Sequence, residues 1–158
     1  MPSGLRISIG QAVAFRSGRK HEPSHEPIMT PLKVVVIEDT PIVLDLYHEK
    51  LGKIKGIDLV KTPPVESFDL AMEIFREVQP HIVITDLSLT SAHTEGFGIL
   101  RTLKRCAPGV CVILTTSIYS PANHDELNEH IRHAKFDAVF HKADLEHLAE
   151  FIRSKLPH

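Results

Sequence analysis

Four apolar runs in the 158-residue sequence each end in polar side chains of complementary chemistry. Val34-Val35-Val36-Ile37 runs into Glu38-Asp39, and Ile82-Val83-Ile84-Thr85 runs into Asp86. Val112-Ile113-Leu114 runs into Thr115-Thr116-Ser117, and Val139-Phe140-His141 runs into Lys142. Taken singly, each has an ordinary structural explanation. An acidic pair ahead of a helix favours its N-terminus, an Asp after a strand is a common turn residue, and a Thr or Lys at such a position is unremarkable. Brought to one edge, they define one chemistry, phosphoryl transfer to a carboxylate. Clustered acids repel one another unless a hard cation neutralises them, and Mg²⁺ takes carboxylate oxygens plus water. A hydroxyl and an ammonium would complete the shell around a phosphoryl group, and an aspartyl phosphate is a known covalent intermediate of a carboxylate nucleophile.

The elements between these runs are what must bring them together. β-branched runs without polar alternation are typical of strands buried on both faces. Between them, apolar residues recur at helical spacing. Val43, Leu46, Tyr47, Leu51 and Ile54 follow the first run, with Pro41 suited to a first turn. A short strand is expected at 57–60, then a helix lined by Ala71, Ile74, Phe75 and Val78 and ended by Pro80. Ile99, Leu100, Leu103 and Cys106 line the next helix, and Pro108-Gly109 turns into a strand over 110–115. Ser120-Pro121 is placed to cap a helix containing Leu127, Ile131 and Ala134. A strand over 138–141 and a stripe of Leu145, Leu148, Phe151, Ile152 and Leu156 close the chain. Strands alternating with helices predict a parallel sheet covered on both faces. Five such units fit an α/β flavodoxin-like, doubly wound (βα)5 fold with strand order 2-1-3-4-5, in which ligands bind beyond the carboxyl ends of the strands.

Composition bounds the rest. With 42% hydrophobic and 24% charged residues, the chain can bury one core. Residues 1–30 are rich in Pro, Gly and Ser, carry a charge of +2, and read as a flexible N-terminal tail, leaving −4 on the folded part, 31–158. The tail lacks the apolar stretch of a signal peptide, and the His-Glu-Pro triplets at His21 and His25 have no partner set for a metal. No apolar run spans a bilayer, and the net charge of −2 gives no reason to expect nucleic acid or membrane as a partner. Cys106 and Cys111 read as reduced core residues of a cytoplasmic protein.

The four blocks, in this order, resemble the signature blocks of bacterial two-component response-regulator receiver domains, over roughly residues 32–157. The resemblance implies a stand-alone phosphoacceptor switch of the chemotaxis-regulator type rather than an enzyme. Asp86 would accept a phosphoryl group from a sensor histidine kinase or phosphotransfer protein. Mg²⁺ would be held by Glu38, Asp39, Asp86 and the backbone carbonyl of Ser88. Thr116 would be the switch hydroxyl, with Thr115 the alternative one residue earlier, and Lys142 would pair with the phosphate. Output would pass to a downstream protein target, with a homodimer as a further option.

Several positions depart from that family's pattern. The loop after Asp86 is longer and lacks the usual Pro. The segment from Thr116 to Lys142 is longer too, Ala143 replaces a common Pro, and Val139 stands where the family's switch is aromatic. Three other readings compete: a receiver-like binding module that is never phosphorylated, a phosphohydrolase of the haloacid-dehalogenase type, and a flavin carrier. The hydrolase class presents a second Asp two residues after the first, where this chain has Ser88. The loop Asp39-Thr40-Pro41 is too acidic to cradle a flavin phosphate unaided.

Overall fold

A computed structural model describes residues 29–87 and 95–158. Residues 1–28, most of the expected tail, and Ser88, the expected carbonyl ligand, lie outside the described residues. Five strands and five helices alternate: β1 (Leu32–Ile37), α1 (Pro41–Leu51), β2 (Ile57–Leu59), α2 (Phe68–Val78), β3 (Ile82–Asp86), α3 (Glu95–Cys106), β4 (Cys111–Thr116), α4 (Glu126–His133), β5 (Ala138–His141) and α5 (Leu145–Ser154). All pairings are parallel, and the sheet order is β2-β1-β3-β4-β5. The expected fold is therefore the observed one.

Period-two alternation along the strands divides the core into two layers. Val34, Val36, Ile82, Ile84 and Ile113 pack with Leu44, Tyr47, Leu51, Leu148 and Ile152 of α1 and α5. Val35, Ile37, Val83 and Val112 face the other way, against Ala71, Ile74 and Phe75 of α2 and Ile99, Leu100 and Leu103 of α3. A smaller cluster of Leu87, Leu114 and Ile131, with Phe97 and Val139 against it, seats α4. The same alternation assigns sides at the functional edge. Glu38, Asp86, Thr115 and Lys142 continue the α1/α5 side, whereas Thr116 continues the side of Leu114.

The structure corrects the sequence expectations at several element ends. β4 starts at Cys111 and includes Thr116, which pairs with His141. Val110 belongs instead to the preceding turn, where its N–H donates to the Ala107 carbonyl. The buried stripe of α1 is Leu44, Tyr47 and Leu51. Leu46, two residues from Leu44 and so on the opposite side of the helix, is 42% exposed. Cys106 falls in the last turn of α3 after the buried stripe has ended and is exposed, while Cys111 is half-buried. Cys111 packs against the edge of the core and Cys106 does not; both are free thiols.

Ser120-Pro121 does not cap α4. Asp125 does, accepting from the Asn128 N–H at 2.8 Å. The reason is that Asn128 itself is buried and ties the preceding segment down. Its Oδ1 accepts from Ser120 N–H at 2.7 Å while its Nδ2 donates to Asp125. Arg132 completes the clamp by donating to the carbonyls of Pro121 and Asn123.

Candidate functional site at the carboxyl edge of the sheet

The register of the strands fixes what stands at the edge. β1 pairs Ile37 with Thr85, and β3 pairs Asp86 with Thr115. The residues that follow these pairs therefore emerge side by side at the switch point between β1 and β3. Lys142 follows β5, and its backbone N–H donates to the Thr116 carbonyl at 3.3 Å, which holds the ammonium-bearing side chain beside β4.

Electrostatics then draws the side chains together. Lys142 Nζ lies 2.7 Å from Asp86 Oδ2 and 3.1 Å from Glu38 Oε2, a contact between residues 104 positions apart for the latter. Glu38 is 1% exposed, and its Oε1 also accepts from the Thr40 N–H at 3.1 Å. Asp86 is 9% exposed, and its Oδ1 accepts from the Leu87 N–H at 2.7 Å. Burial raises the Glu38 carboxyl above its ordinary value, with Lys142 working against that rise. Burial likewise disfavours the Lys142 ammonium, but the hydrogen bonds and charges of Asp86 and Glu38 outweigh it, and its pKa is raised.

Glu38, Asp39 and Asp86 each offer a carboxylate oxygen, and these atoms lie within 4.8 Å of one another. Three carboxylates against one ammonium leave two excess negative charges when all are ionised. That is a fit in charge and donor type for a hard divalent cation, which binds all-oxygen ligand sets and keeps several waters.

The two candidate hydroxyls separate by side. Thr116, 2% exposed, accepts from the Ile118 N–H at 3.3 Å and sits in β4 on the α4 side. Thr115, 1% exposed, lies on the α1/α5 side, the side of the buried Tyr47. Tyr47 is the feature at this edge that sequence reasoning treats only as core. Its ring packs in the α1/α5 layer while its hydroxyl has no hydrogen-bond partner among the described residues. Burial raises the phenol pKa, with Thr115, Glu38, Lys142 and Asp86 as lesser influences, so the group stays a neutral donor beneath the acidic edge. A tyrosine inside an apolar helical stripe is the only signal of this in the sequence.

Gly96 is a second hidden contributor. Its N–H donates to the Leu87 carbonyl at 2.9 Å, and a Cβ there would lie 2.7 Å from the Asp86 carbonyl oxygen. α3 thus starts in backbone contact with the strand end that carries Asp86.

No protein-family model matches the sequence, and no curated protein matches it. Solved structures do. A complex of the two-component response regulator RcsB with DNA superposes with a TM-score of 0.66 at 21% identity, over 78% of this chain and 62% of that one. The isolated REC domain of RcsB from Salmonella enterica serovar Typhimurium, in the presence of phosphomimetic BeF3⁻, gives 0.64 at 20%, over 81% and 92% of the two chains. A LuxR-family two-component response regulator from an Aurantimonas species gives 0.63 at 20%, over 78% and 84%. The chain has the response-regulator receiver fold, and its match spans about three-fifths of the RcsB chain in the DNA complex.

One expectation from composition is overturned here. The net charge of −2 was a reason to set nucleic acid aside as a partner, yet a protein built on this fold is found in complex with DNA. Net charge sums the long-range field of a chain. It neither locates local basic patches nor describes the assembly in which the fold works. Among the described residues, no helix is long and apolar enough to cross a membrane.

Proposed function

We propose that this chain is a phosphorylatable receiver in which Asp86 accepts a phosphoryl group from a sensor histidine kinase and thereby switches partner binding. The observation that carries the reading is the Lys142 ammonium held 2.7 Å from Asp86 and 3.1 Å from Glu38, an ion pair drawn from three separate strand ends. Buried carboxylates are costly, and a fold that keeps two of them facing one ammonium has the charge arrangement suited to binding and moving a phosphoryl group.

In the proposed reaction an Asp86 carboxylate oxygen attacks the donor phosphorus. The new O–P bond replaces the bond to the donor imidazole nitrogen, which leaves with the electron pair and takes up a proton. The Leu87 N–H holds Oδ1, so the carboxylate is oriented before the donor arrives. Lys142 neutralises the acceptor at rest and is within reach of the phosphoryl oxygens afterwards. The Thr116 hydroxyl, whose oxygen accepts from the Ile118 N–H, donates its own proton to the phosphoryl group. Mg²⁺, held by Glu38, Asp39, Asp86 and the carbonyl of Ser88, would supply charge neutralisation of the phosphoryl oxygens. The role is that of an acceptor switch rather than a turnover catalyst, and the cytoplasm is the compartment it implies.

Incubation with acetyl phosphate, followed by intact mass measurement, tests the proposal. One phosphoryl adduct per chain is expected with Mg²⁺ and none with EDTA. Sustained phosphate release without an adduct would indicate a hydrolase. Absence of both adduct and release would indicate an unphosphorylated binding module.

A further inference from the structure

The strongest feature outside the acidic edge is a cavity of about 620 Å³ between α3 and α4. Its floor is apolar, formed by Phe97, Leu100 and Ala134. The Phe97 ring stands edge-on to His130, with centroids 6.5 Å apart, and tilted against Phe136 at 6.1 Å, so the floor has an aromatic wall. The rim is entirely basic or imidazole: Arg101, Lys104, His130, His133 and Lys135. Among the described residues, no acidic side chain lines it.

Helix ends explain part of this charge. Lys104 lies in the last turn of α3 and His130 and His133 in the last turn of α4, where cations suit the macrodipole. Some of it is also spent: Lys104 Nζ bonds Asp137 at 2.7 Å, and His133 lies 3.7 Å from Glu129. Arg101 and Lys135 are different. One projects from the middle of α3 and the other follows the end of α4. Both are exposed, and neither has an acidic partner among the described residues. Helix dipoles do not account for an apolar, aromatic-walled cavity between two unpaired cations in a folded part whose net charge is −4.

The complementary ligand has a flat apolar body for the Phe97 wall and an anionic group for Arg101 and Lys135. Bare phosphate would leave most of the cavity empty, since cavities of roughly 300–1,000 Å³ are the size that holds organic ligands. We infer that the α3/α4 cavity is a binding site for a nucleotide, its base against Phe97 and its phosphate between Arg101 and Lys135. The site shares no residue with the acidic edge and needs neither Mg²⁺ nor phosphorylation. It does touch the switch elements, because Phe97 adjoins Gly96, which contacts the backbone of Asp86 and Leu87.

Titrating the full chain with AMP in EDTA, followed by amide NMR, tests the assignment independently of phosphorylation. AMP should bind with a Kd at or below about 1 mM and shift the amides of Phe97, Arg101, His130 and Lys135. Adenosine alone and inorganic phosphate alone should each bind at least about tenfold more weakly, since each keeps only half of the contacts. Arg101→Glu and Lys135→Glu should each weaken AMP roughly fivefold or more while leaving the melting temperature within about 2 °C of wild type, as expected for exposed charges. A short single-stranded oligonucleotide forms the second arm. Preference for it over AMP would assign the nucleotide to a nucleic-acid strand, with the same contacts. No shifts at these residues in either arm, or AMP binding unchanged in both charge-reversal variants, would overturn the inference.

Discussion

Removing the Lys142 ammonium would leave Glu38 and Asp86 facing one another at a buried edge, and pH is the lever that reveals it. Glu38 has a raised pKa in the folded protein. A raised carboxylate pKa means that the folded state holds its proton more tightly than the unfolded chain, so stability falls as pH rises from 4.5 through the folded value. Lys142, also raised, contributes stability that is fully present below 10.5 and lost as pH climbs through its folded value. Without the ammonium the buried Glu38 carboxyl is pushed further towards its protonated form. Lys142→Met should therefore cost about 2–3 kcal/mol at pH 8 in EDTA and progressively less as pH falls towards 5, with Mg²⁺ recovering much of the loss at pH 8. Thermal melts across that range check it; a loss that is flat with pH and blind to Mg²⁺ would mean that the ion pair is not what holds the edge. Glu38, Asp39, Asp86 and Lys142 are legible in the sequence because each stands within two residues of the end of an apolar run that reads as a buried strand. Leu87 N–H, Tyr47 and the closeness of Gly96 to Asp86 are not, because they depend on backbone geometry and on how deep a helix sits.

At the scale of elements, α3 and α4 are held by contacts that periodicity alone does not reveal. Gly96 lets the first turn of α3 lie on the peptide after Asp86, with an added Cβ only 2.7 Å from the Asp86 carbonyl oxygen and 2.8 Å from Leu87 Cα. Both obstacles are backbone, so Gly96→Ala should cost about 1–3 kcal/mol and impair phosphoryl acceptance by more than the stability loss accounts for. Chemical denaturation alongside acetyl phosphate labelling separates the two effects, and normal labelling in a destabilised Gly96→Ala chain would show that this contact does not shape the site.

α4 is held by side chains reaching backward. Arg132 bonds Glu129 at 2.6 Å as well as the carbonyls before the helix. The Arg132 hydrogen bond holds the Glu129 carboxyl down at about 2, so its contribution is present above pH 4.5 and fades as pH falls towards 2. Arg132→Ala should lower the amide protection factors of residues 120–125 near neutral pH, and acidification of wild type through that window should do the same once the slower intrinsic exchange at low pH is allowed for. Unchanged exchange in both would mean that Asn128 and the Asp125 cap suffice. Capping by Ser120-Pro121 is the natural sequence reading, because a Ser before a Pro is a common helix start. Asp125 wins through Asn128, whose burial no local pattern reveals.

For the molecule as a whole, the five-unit alternation makes the fold legible from end to end, since a buried parallel sheet leaves little choice of strand. Partner chemistry is less legible, because summed charge hides a basic cavity rim on a chain that is acidic overall. The tail is expected to add little, its Pro- and Gly-containing sequence having few apolar groups to bury. A chain beginning at Met29 should melt within about 1–2 °C of full length; a larger drop would place the tail against the domain. The central claim is that Asp86 receives the phosphoryl group with Mg²⁺ beside it, and fluorine NMR of beryllofluoride tests this most directly. Wild type in Mg²⁺ should give protein-bound fluoride resonances that vanish in EDTA and are absent from Asp86→Asn. Bound resonances persisting in Asp86→Asn, or no bound species in wild type at saturating Mg²⁺, would contradict it.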